Sequence, residues 1–451
     1  MVRGPSPRRA VLWGRRRGHT GGGESGGNET PAPFVAEPHS SRSFAPPRQS
    51  LKARTPDAAS GERVRILLPV FRYLPTPGGA TRLVQLLAEG AAARGHSVTV
   101  VTQAEPGTPN EETIAGVRVV RIGMRHVAGF RVPRGYLRLL RSMDADVFHL
   151  NGNRIWCVDY YLPSARSFDW PQVIMPMGFY HYWMRRGLVR WLYYDRYLPG
   201  RLRAFDGYIA LTEGERDQVL GWKYPADRLR VIPVGIDLGE FSAPVEPVET
   251  VRARWGLSTP HVAVYAGGLY DNKRVDRLVR AVAATRGAWG LVVLGADVPG
   301  SRYDRGYCDR LARELSAPVR FLGAVPRAGV LGALSAADAY VQGSEFEGFG
   351  IGLLEAMASG RPFVAFDAGA ARELSATGAG VLVRSEEEMT RALLDLPARA
   401  EEFGKAGRSA VREYSVERMV DRALDLYRSV QRGAASVRSG ARSLPDGAAR
   451  I

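Results

Sequence analysis

The sequence predicts an α/β protein made of two doubly wound, parallel-sheet domains that face each other across a cleft. Three observations carry that expectation. Short apolar runs alternate with helical patterns through residues 64–241, as consecutive βαβ units do. The alternation breaks at Ser242-Ala-Pro-Val-Glu-Pro-Val-Glu-Thr250 and restarts at His261. The length, 451 residues, suits two or three domains, and 45% hydrophobic with 24% charged residues is ordinary for a chain that folds around a core.

Residues 1–62 hold nine Gly and eight Pro against seven Leu, Ile, Val or Phe, too little apolar surface to offset the entropy of ordering. They are expected to be a disordered basic extension. The core then opens with a strand over Val64–Val70, a turn at Pro75-Thr-Pro-Gly-Gly79, a helix marked by Leu83, Leu86 and Leu87 that closes at Arg94-Gly95, and a strand over His96–Thr102. That βαβ unit predicts a Rossmann-like domain over residues 63–241. Further strands are expected at Val117–Ile122, Val147–Leu150, Val173–Met175 and Tyr208–Leu211. Residues 242–250 are the expected linker. A second Rossmann-like domain is expected over 251–430, with strands at His261–Tyr265, Gly290–Leu294, Val319–Leu322, Ala339–Gln342 and Pro362–Phe366 and helices between them. The tail, 431–451, is rich in Ser, Gly, Ala and Arg and is expected to be disordered. In such sheets ligands sit beyond the carboxyl ends of the strands, so the cleft is the expected site.

Composition excludes several classes of function. Two cysteines, Cys157 and Cys308, without Cys-x-x-Cys spacing support neither a disulfide framework nor a zinc site. No run of 18 apolar residues is present, and the apolar run between the N-terminal arginines is too short for a secretory signal. The expected compartment is the cytoplasm. A net charge of +16 invites a nucleic-acid reading, but no nucleic-acid-binding signature accompanies it, so no nucleic-acid partner is expected. Only four of the 62 basic residues are Lys, which makes Lys273 inside a motif notable.

The most informative stretch is Ser344-Glu-Phe-Glu-Gly-Phe-Gly-Ile-Gly-Leu-Leu-Glu355. A strand ends near Gln342, a Gly-rich loop follows and a helix starts near Gly350, which turns free N–H groups and a positive helix end toward the cleft. Glu347 in the loop and Glu355 in the helix can both face a ligand held there, and carboxylates accept hydrogen bonds from sugar and ribose hydroxyls. Spacing alone is equally consistent with a solvated loop glutamate and a glutamate answering the helix dipole. The second element, Tyr265-Ala-Gly-Gly-Leu-Tyr-Asp-Asn-Lys-Arg274, sets Lys273 after a glycine turn, where an ammonium can neutralise a diphosphate leaving group. The third is the Gly78-Gly79 turn, where missing side chains let backbone approach a ligand.

Together these stretches resemble the retaining glycosyltransferases of family four (glycosyl transferases group 1), with the two-domain GT-B fold, over about residues 64–428. Five further segments carry the resemblance: Arg94-Gly-His-Ser-Val-Thr-Val-Val-Thr102, Asp146-Val-Phe-His-Leu150, Phe205-Asp-Gly-Tyr-Ile-Ala-Leu-Thr-Glu-Gly-Glu215, Val231-Ile-Pro-Val-Gly-Ile-Asp237 and Val319-Arg-Phe-Leu-Gly-Ala-Val325. The pair Glu347 and Glu355 matches the family's E-x7-E motif and is the most specific correspondence.

The resemblance implies a retaining transferase that moves a hexose from a nucleotide-diphosphate sugar to a hydroxyl acceptor, which is a glycan, a glycolipid or a small molecule. It assigns Glu355 to the nucleotide ribose, Glu347 to the donor sugar, and Lys273 with backbone at Gly348, Phe349, Gly350 and Ile351 to the diphosphate. Gly79, beside Gly78, would approach from the other domain. No metal or other cofactor is implied beyond the donor itself. Three departures stand out: Gly268 where the family commonly has Arg; Met177 before Gly178 where a His near the donor sugar is usual, with His181 three residues on as a substitute; and Val234 for a frequent Asn. The first two motivate an alternative, a catalytically inactive sugar-nucleotide binding protein of the same fold. Aromatics and arginines across residues 180–198 suit either an acceptor-side helix or a peripheral contact with the inner face of a membrane that presents a lipid-linked acceptor.

Overall fold

The computed structural model describes residues 63–442 except 77, 128–129, 179–186, 189–190 and 243–245, and gives backbone alone at 130 and 435–442. The expected extension 1–62, the end of the tail, part of the linker, His181 and most of the first half of 180–198 therefore lie outside the described residues.

The first lobe is built on β1 (Arg65–Pro69), β2 (Ser97–Gln103), β3 (Glu111–Ile114), β4 (Val117–Ile122), the ribbon β5 (Met124–Val127) with β6 (Phe130–Pro133), β7 (Val147–Asn151), β8 (Gln172–Met175), β9 (Gly207–Ala210) and β10 (Leu229–Val231). Its main sheet runs β10-β9-β8-β7-β1-β2-β4-β3. Every pairing in it is parallel except β3 with β4. The second lobe has β11 (His261–Ala266), β12 (Trp289–Leu294), β13 (Val319–Gly323), β14 (Ala339–Gln342), β15 (Phe363–Phe366) and β16 (Gly380–Val383), all parallel, in the order β13-β12-β11-β14-β15-β16. Each sheet reverses strand order beside its first strand, at β1/β7 and at β11/β14. Those switch points are where such sheets open a crevice. The expected strands are all present; β3, β10, β16 and the ribbon are additions, short or polar enough to carry little apolar period.

The first helix, Gly79–Ala93, buries Leu83, Val84, Leu86, Leu87 and Ala91 on one stripe against the sheet and ends where Gly95 turns through φ +87°. In the second lobe the helix Val275–Ala284 buries Val275, Leu278, Val279 and Val282 in the same way. The helix Ile351–Ala358 is apolar almost throughout, because Leu353, Leu354, Ala356 and Met357 are all inside.

Two expectations about boundaries need correction. A helix starts at Val248, inside the expected linker, and ends at Gly256 in the left-handed conformation. The last helix, Val416–Arg442, continues well past residue 430, so the tail is ordered that far. It packs on the first lobe, not the second: the side chains of Val416 and Val420 close over Gly90, Leu426 and Val430 over Gly207, and Tyr427 Oη meets His149 Nδ1 at 2.6 Å in the buried interior. The apolar stripe from Val416 to Val430 is a packing surface, and the basic polar composition of 431–451 concealed the helix's continuation.

The chain thus crosses between the lobes twice, near residues 232–247 and 411–416. The crossings touch. Ile236 bridges to Ser415, Ile236 N donates to Tyr414 O at 2.9 Å, and Val416 N donates to Ile236 O at 3.1 Å. At Gly235 a Cβ would lie 2.8 Å from both Ser415 O and Val416 Cα, so only glycine lets the crossings close. Gly235→Ala is expected to cost about 1–3 kcal/mol of stability, since backbone on both sides must give. Its thermal midpoint should fall clearly below that of Gly221→Ala, a control whose Cβ meets nothing within 4 Å.

Candidate functional site

Two loops of the second lobe lie side by side at its switch point. The loop after β11 carries Lys273, and the loop after β14 carries Glu347. Asn272 Nδ2 donates to Phe346 O at 2.9 Å, Glu345 N donates to Asn272 O at 2.8 Å, and a Cβ at Gly343 would meet Arg274 O at 2.6 Å. Backbone contact this close fixes the two side chains relative to each other. Lys273 Nζ donates to Glu347 Oε1 at 2.6 Å and Oε2 at 2.8 Å, and Ser344 Oγ donates to Oε1 at 2.7 Å. The Glu347 side chain is 9% exposed and that of Lys273 is 24% exposed, so the pair is screened from water on most sides yet open to the cleft.

Immediately after Glu347, Gly350 takes φ +99° and the helix Ile351–Ala358 begins. Its first N–H groups have no carbonyl partner within the helix, which leaves a partial positive charge at the loop. Phe349 contributes backbone only, because its ring is buried in the apolar core and its carbonyl accepts from Ala370 N at 2.8 Å.

The first lobe meets this loop at two of the expected positions. A Cβ at Gly79 would lie 3.6 Å from Ile351 Cδ1, so the starts of the helices Gly79–Ala93 and Ile351–Ala358 face each other. Gly178, at φ +88°, sits so close that a Cβ there would be 2.7 Å from Gly348 Cα. Gly78 precedes the first helix in extended conformation with its nearest contact at Thr81. Thus Gly79, Gly178, Lys273, Glu347, Gly348, Gly350 and Ile351 come together from both lobes, while Gly78 meets only its own helix.

Glu355 stands about one turn into its helix, on the side of the cavity between the lobes that Arg82, Glu240 and Arg327 also line. Burial pushes its carboxyl above the ordinary range, and the neighbouring Arg327 guanidinium opposes that shift. Gly268 lies in the Lys273 loop, but a Cβ there would run into the ring of Tyr270 at 2.8 Å. Tyr270, 53% exposed, fills the space the family's arginine would need. Met177 is not a stand-in for a cleft histidine, since its side chain is buried within an apolar cluster.

Several contributors carried no signal strong enough to single them out. Glu215 is buried, accepts from Leu211 N at 3.0 Å and Tyr208 Oη at 2.8 Å, and takes a third hydrogen bond from the Gly178 backbone. It holds the glycine that touches Gly348. Glu373, from the second lobe, accepts from Glu213 N at 2.7 Å at the start of the first-lobe helix Glu213–Gly221. Burial raises the Glu373 carboxyl and the backbone N–H groups of Glu213 and Gly214 pull it back. Glu215 closes the segment Phe205–Glu215 that carries the family resemblance and could have been found there; Glu373 pairs with Glu213, 160 residues away in sequence.

A cleft between two parallel-sheet lobes, with glycine turns and a helix start facing a lysine–carboxylate pair, defines a sugar-nucleotide transferase class of site. The comparisons are specific. A family model described as "Glycosyl transferases group 1" matches residues 260–398, and one described as "Glycosyltransferase Family 4" matches residues 77–240. The chain is 28% identical over 395 residues to the GDP-mannose-dependent alpha-mannosyltransferase of Mycobacterium tuberculosis, covering 82% of this chain and 97% of that protein. It is 35% identical over 261 residues to the alpha-maltose-1-phosphate synthase of Mycolicibacterium smegmatis, a match spanning 51% of this chain and 64% of that relative. Among solved structures, sucrose-phosphate synthase from Thermosynechococcus elongatus superposes with a TM-score of 0.70 at 22% identity, over 82% of this chain and all of that one. Anabaena HepE in complex with UDP and glucose gives 0.66 at 17% identity, over 81% and 100%. The chain belongs to the family-four glycosyltransferases of group 1, with the GT-B fold. It is a retaining enzyme that moves a hexose from a nucleotide-diphosphate sugar to a hydroxyl acceptor.

Two outcomes are expected of the packing around Gly178. Gly178→Ala adds a Cβ at positive φ against the Gly348 backbone, so donor KM should rise, measured by initial rates across donor concentration, and the thermal midpoint should fall as it does for Gly235→Ala. Glu215 is pushed up to about 7 by burial, against hydrogen bonds that lower it. A carboxyl raised from about 4.5 in the unfolded chain binds its proton more tightly when folded, so its contribution to stability falls as pH rises between those values and is level above 7. Urea midpoints at pH 5 and pH 8 should therefore show Glu215→Gln gaining on the parent protein as pH rises.

Proposed function

We propose that the diphosphate of the donor binds against Lys273 and the N–H groups of Gly348 to Ile351, with the hexose at Glu347, the nucleotide ribose at Glu355, and Gly79 and Gly178 closing the site from the first lobe. The observation that carries this reading is the Lys273–Glu347 ion pair at the start of the helix Ile351–Ala358, facing those two glycines. As the bond from the anomeric carbon to the diphosphate lengthens, positive charge grows on the sugar and negative charge on the phosphate oxygen. The ammonium and the fixed N–H dipoles stabilise the latter. The acceptor hydroxyl attacks from the same face, its oxygen bonds to the anomeric carbon, and its proton passes to the departing phosphate oxygen. No strong base and no metal are needed in this scheme. GDP-mannose is the donor to test first, because that is the donor in the name of the relative matched over nearly its whole length.

Donor hydrolysis without acceptor tests the assignment. Purified enzyme with GDP-mannose, UDP-glucose and ADP-glucose in parallel should slowly release one nucleoside diphosphate. Lys273→Met should lower that rate by about 10²-fold, the usual cost of one transition-state charge partner, and Lys273→Arg should not restore it, because the compact ammonium fits between the loops and a planar fork does not. A donor that binds without turnover, with every acceptor tried, would instead support the inactive binding protein.

We further propose a lipid-linked acceptor and a cytoplasmic site of action at the membrane face. In support, Leu188, Trp191 and Leu192 are 69%, 49% and 48% exposed on the first lobe, and Arg196 lies over the Trp191 ring. Among the described residues no helix is long and apolar enough to cross a membrane, so the contact would be peripheral. Sedimentation with phosphatidylglycerol vesicles should retain the enzyme, and Trp191→Ala with Leu192→Ala should release it; equal retention of the variant would defeat the idea.

A further inference from the structure

Arg327 begins the helix Arg327–Ala336 directly after Pro326, and its guanidinium meets two carboxylates. Nε and Nη2 donate to Glu240 Oε2 at 3.0 and 2.7 Å, and Nη1 donates to Glu355 Oε1. The other oxygen of Glu240 accepts from Arg82 of the first-lobe helix. Glu240 itself sits in the first crossing between the lobes, within the turn Leu238–Phe241. A continuous alternation of charge therefore runs Glu355, Arg327, Glu240, Arg82, from the donor side of the cleft to the opposite lobe.

Glu355 Oε1 is committed in this chain, while Oε2 has no protein hydrogen bond among the described residues, and the side chain is only 14% exposed. A carboxylate presented in this way offers one oxygen in a fixed direction. A ribose hydroxyl gains a charge-assisted hydrogen bond from it, roughly twice as strong as a neutral one. We propose that Arg327 is a positioning residue of the donor site: it clamps Glu355 by one oxygen so that the other meets the nucleotide ribose, and through Glu240 and Arg82 it ties that grip to the first lobe. The proposal rests on Glu355 as the ribose ligand.

A merely structural arginine would fill space equally well at every pH, whereas a clamp does more. Burial favours the protonated form of Glu355, the Arg327 charge and hydrogen bond favour the ionised form, Glu240 disfavours it and Arg82 favours it. Tyr340, buried under the same helix, also faces this carboxylate. Burial pulls the Arg327 guanidinium down, but its two carboxylates more than offset that and leave it above its ordinary range. Removing Arg327 thus shifts Glu355 further toward the neutral acid, and the loss of ribose binding is greatest at low pH, where the acid persists.

The test is calorimetric binding of GDP, UDP and ADP to the full chain at pH 6 and pH 8.5, following whichever the parent enzyme binds most tightly. Arg327→Met is expected to weaken that nucleotide severalfold more at pH 6 than at pH 8.5, because losing the guanidinium favours the neutral acid of Glu355. Arg327→Lys should retain most of the affinity, and Glu240→Gln should show a smaller loss of the same sign. Glu355→Gln should weaken binding equally at both pH values, and adding Arg327→Met to it should cost nothing more. A loss in Arg327→Met that is the same at both pH values, or that adds in full to Glu355→Gln, overturns the positioning role. Unchanged binding in Glu355→Gln instead removes the ribose assignment beneath it, and no nucleotide bound by the parent enzyme removes the donor reading as a whole. If Arg327→Met does not fold, Glu240→Gln and Arg327→Lys carry the same pH comparison.

Discussion

The site exists only because the chain crosses between its lobes twice at one place. A single linker would let two parallel-sheet lobes adopt many relative positions, and loops at their switch points would meet only by chance. Here Ile236 pairs with Ser415 backbone to backbone, and Gly235 permits approach with no side chain between the crossings. The last helix then returns across the first lobe and buries Tyr427 against His149. With both ends of the second lobe tied to the first, Gly79 faces Ile351 and Gly178 faces Gly348. Neither contact needs a large interface of its own.

Where the lobes touch, charge supplies part of the pairing. Glu373 of one lobe takes the helix start of the other, and the Arg82–Glu240–Arg327–Glu355 chain crosses the same gap a short distance away. Partly buried pairs are screened less than surface ones, yet they cost more desolvation than an apolar contact and can be broken and remade as a ligand arrives. An apolar seal would be stronger at rest and slower to open. The cleft-facing surfaces therefore combine glycine backbone, which permits contact, with ion pairs, which register it.

Much of the fold was legible from the sequence because its strands are apolar and lie between helices of clear period, as with β1, β2, β7 and β11. The Gly-rich loop and its two glutamates were legible because a motif of several residues has few alternative explanations. What sequence reasoning missed has a common cause: pairing between residues far apart in the chain. Arg327 and Glu240 are 87 residues apart and Glu213 and Glu373 are 160 apart, so neither pairing leaves a local pattern. The last helix was cut short for a different reason. The residues past 430 are rich in Arg, Ser, Gly and Ala, a composition that resembles a disordered tail, and only the lobe it packs against shows why residues such as Val430 recur.

Gly268 shows how a departure from the family's pattern is absorbed. With Tyr270 in the space of the missing arginine, the neighbouring cations do not replace it. Arg274 is held by both oxygens of Asp276 at 2.9 Å, and Arg302 is bound to Asp271 at 3.1 Å. That leaves Lys273, whose partner is the site's own Glu347. In the donor site proposed above, a diphosphate arriving between the loops would compete with a carboxylate for a single ammonium, and the charge developing on it would fall more heavily on the N–H groups at the start of the helix Ile351–Ala358. Those dipoles are fixed by Gly350 and by the tight packing of Gly369 against Phe349 O, where a Cβ would come within 2.4 Å. Rigid dipoles need no reorganisation as the bond breaks. In the proposed site, backbone held in place by glycines would therefore take over part of what the arginine expected at position 268 would supply.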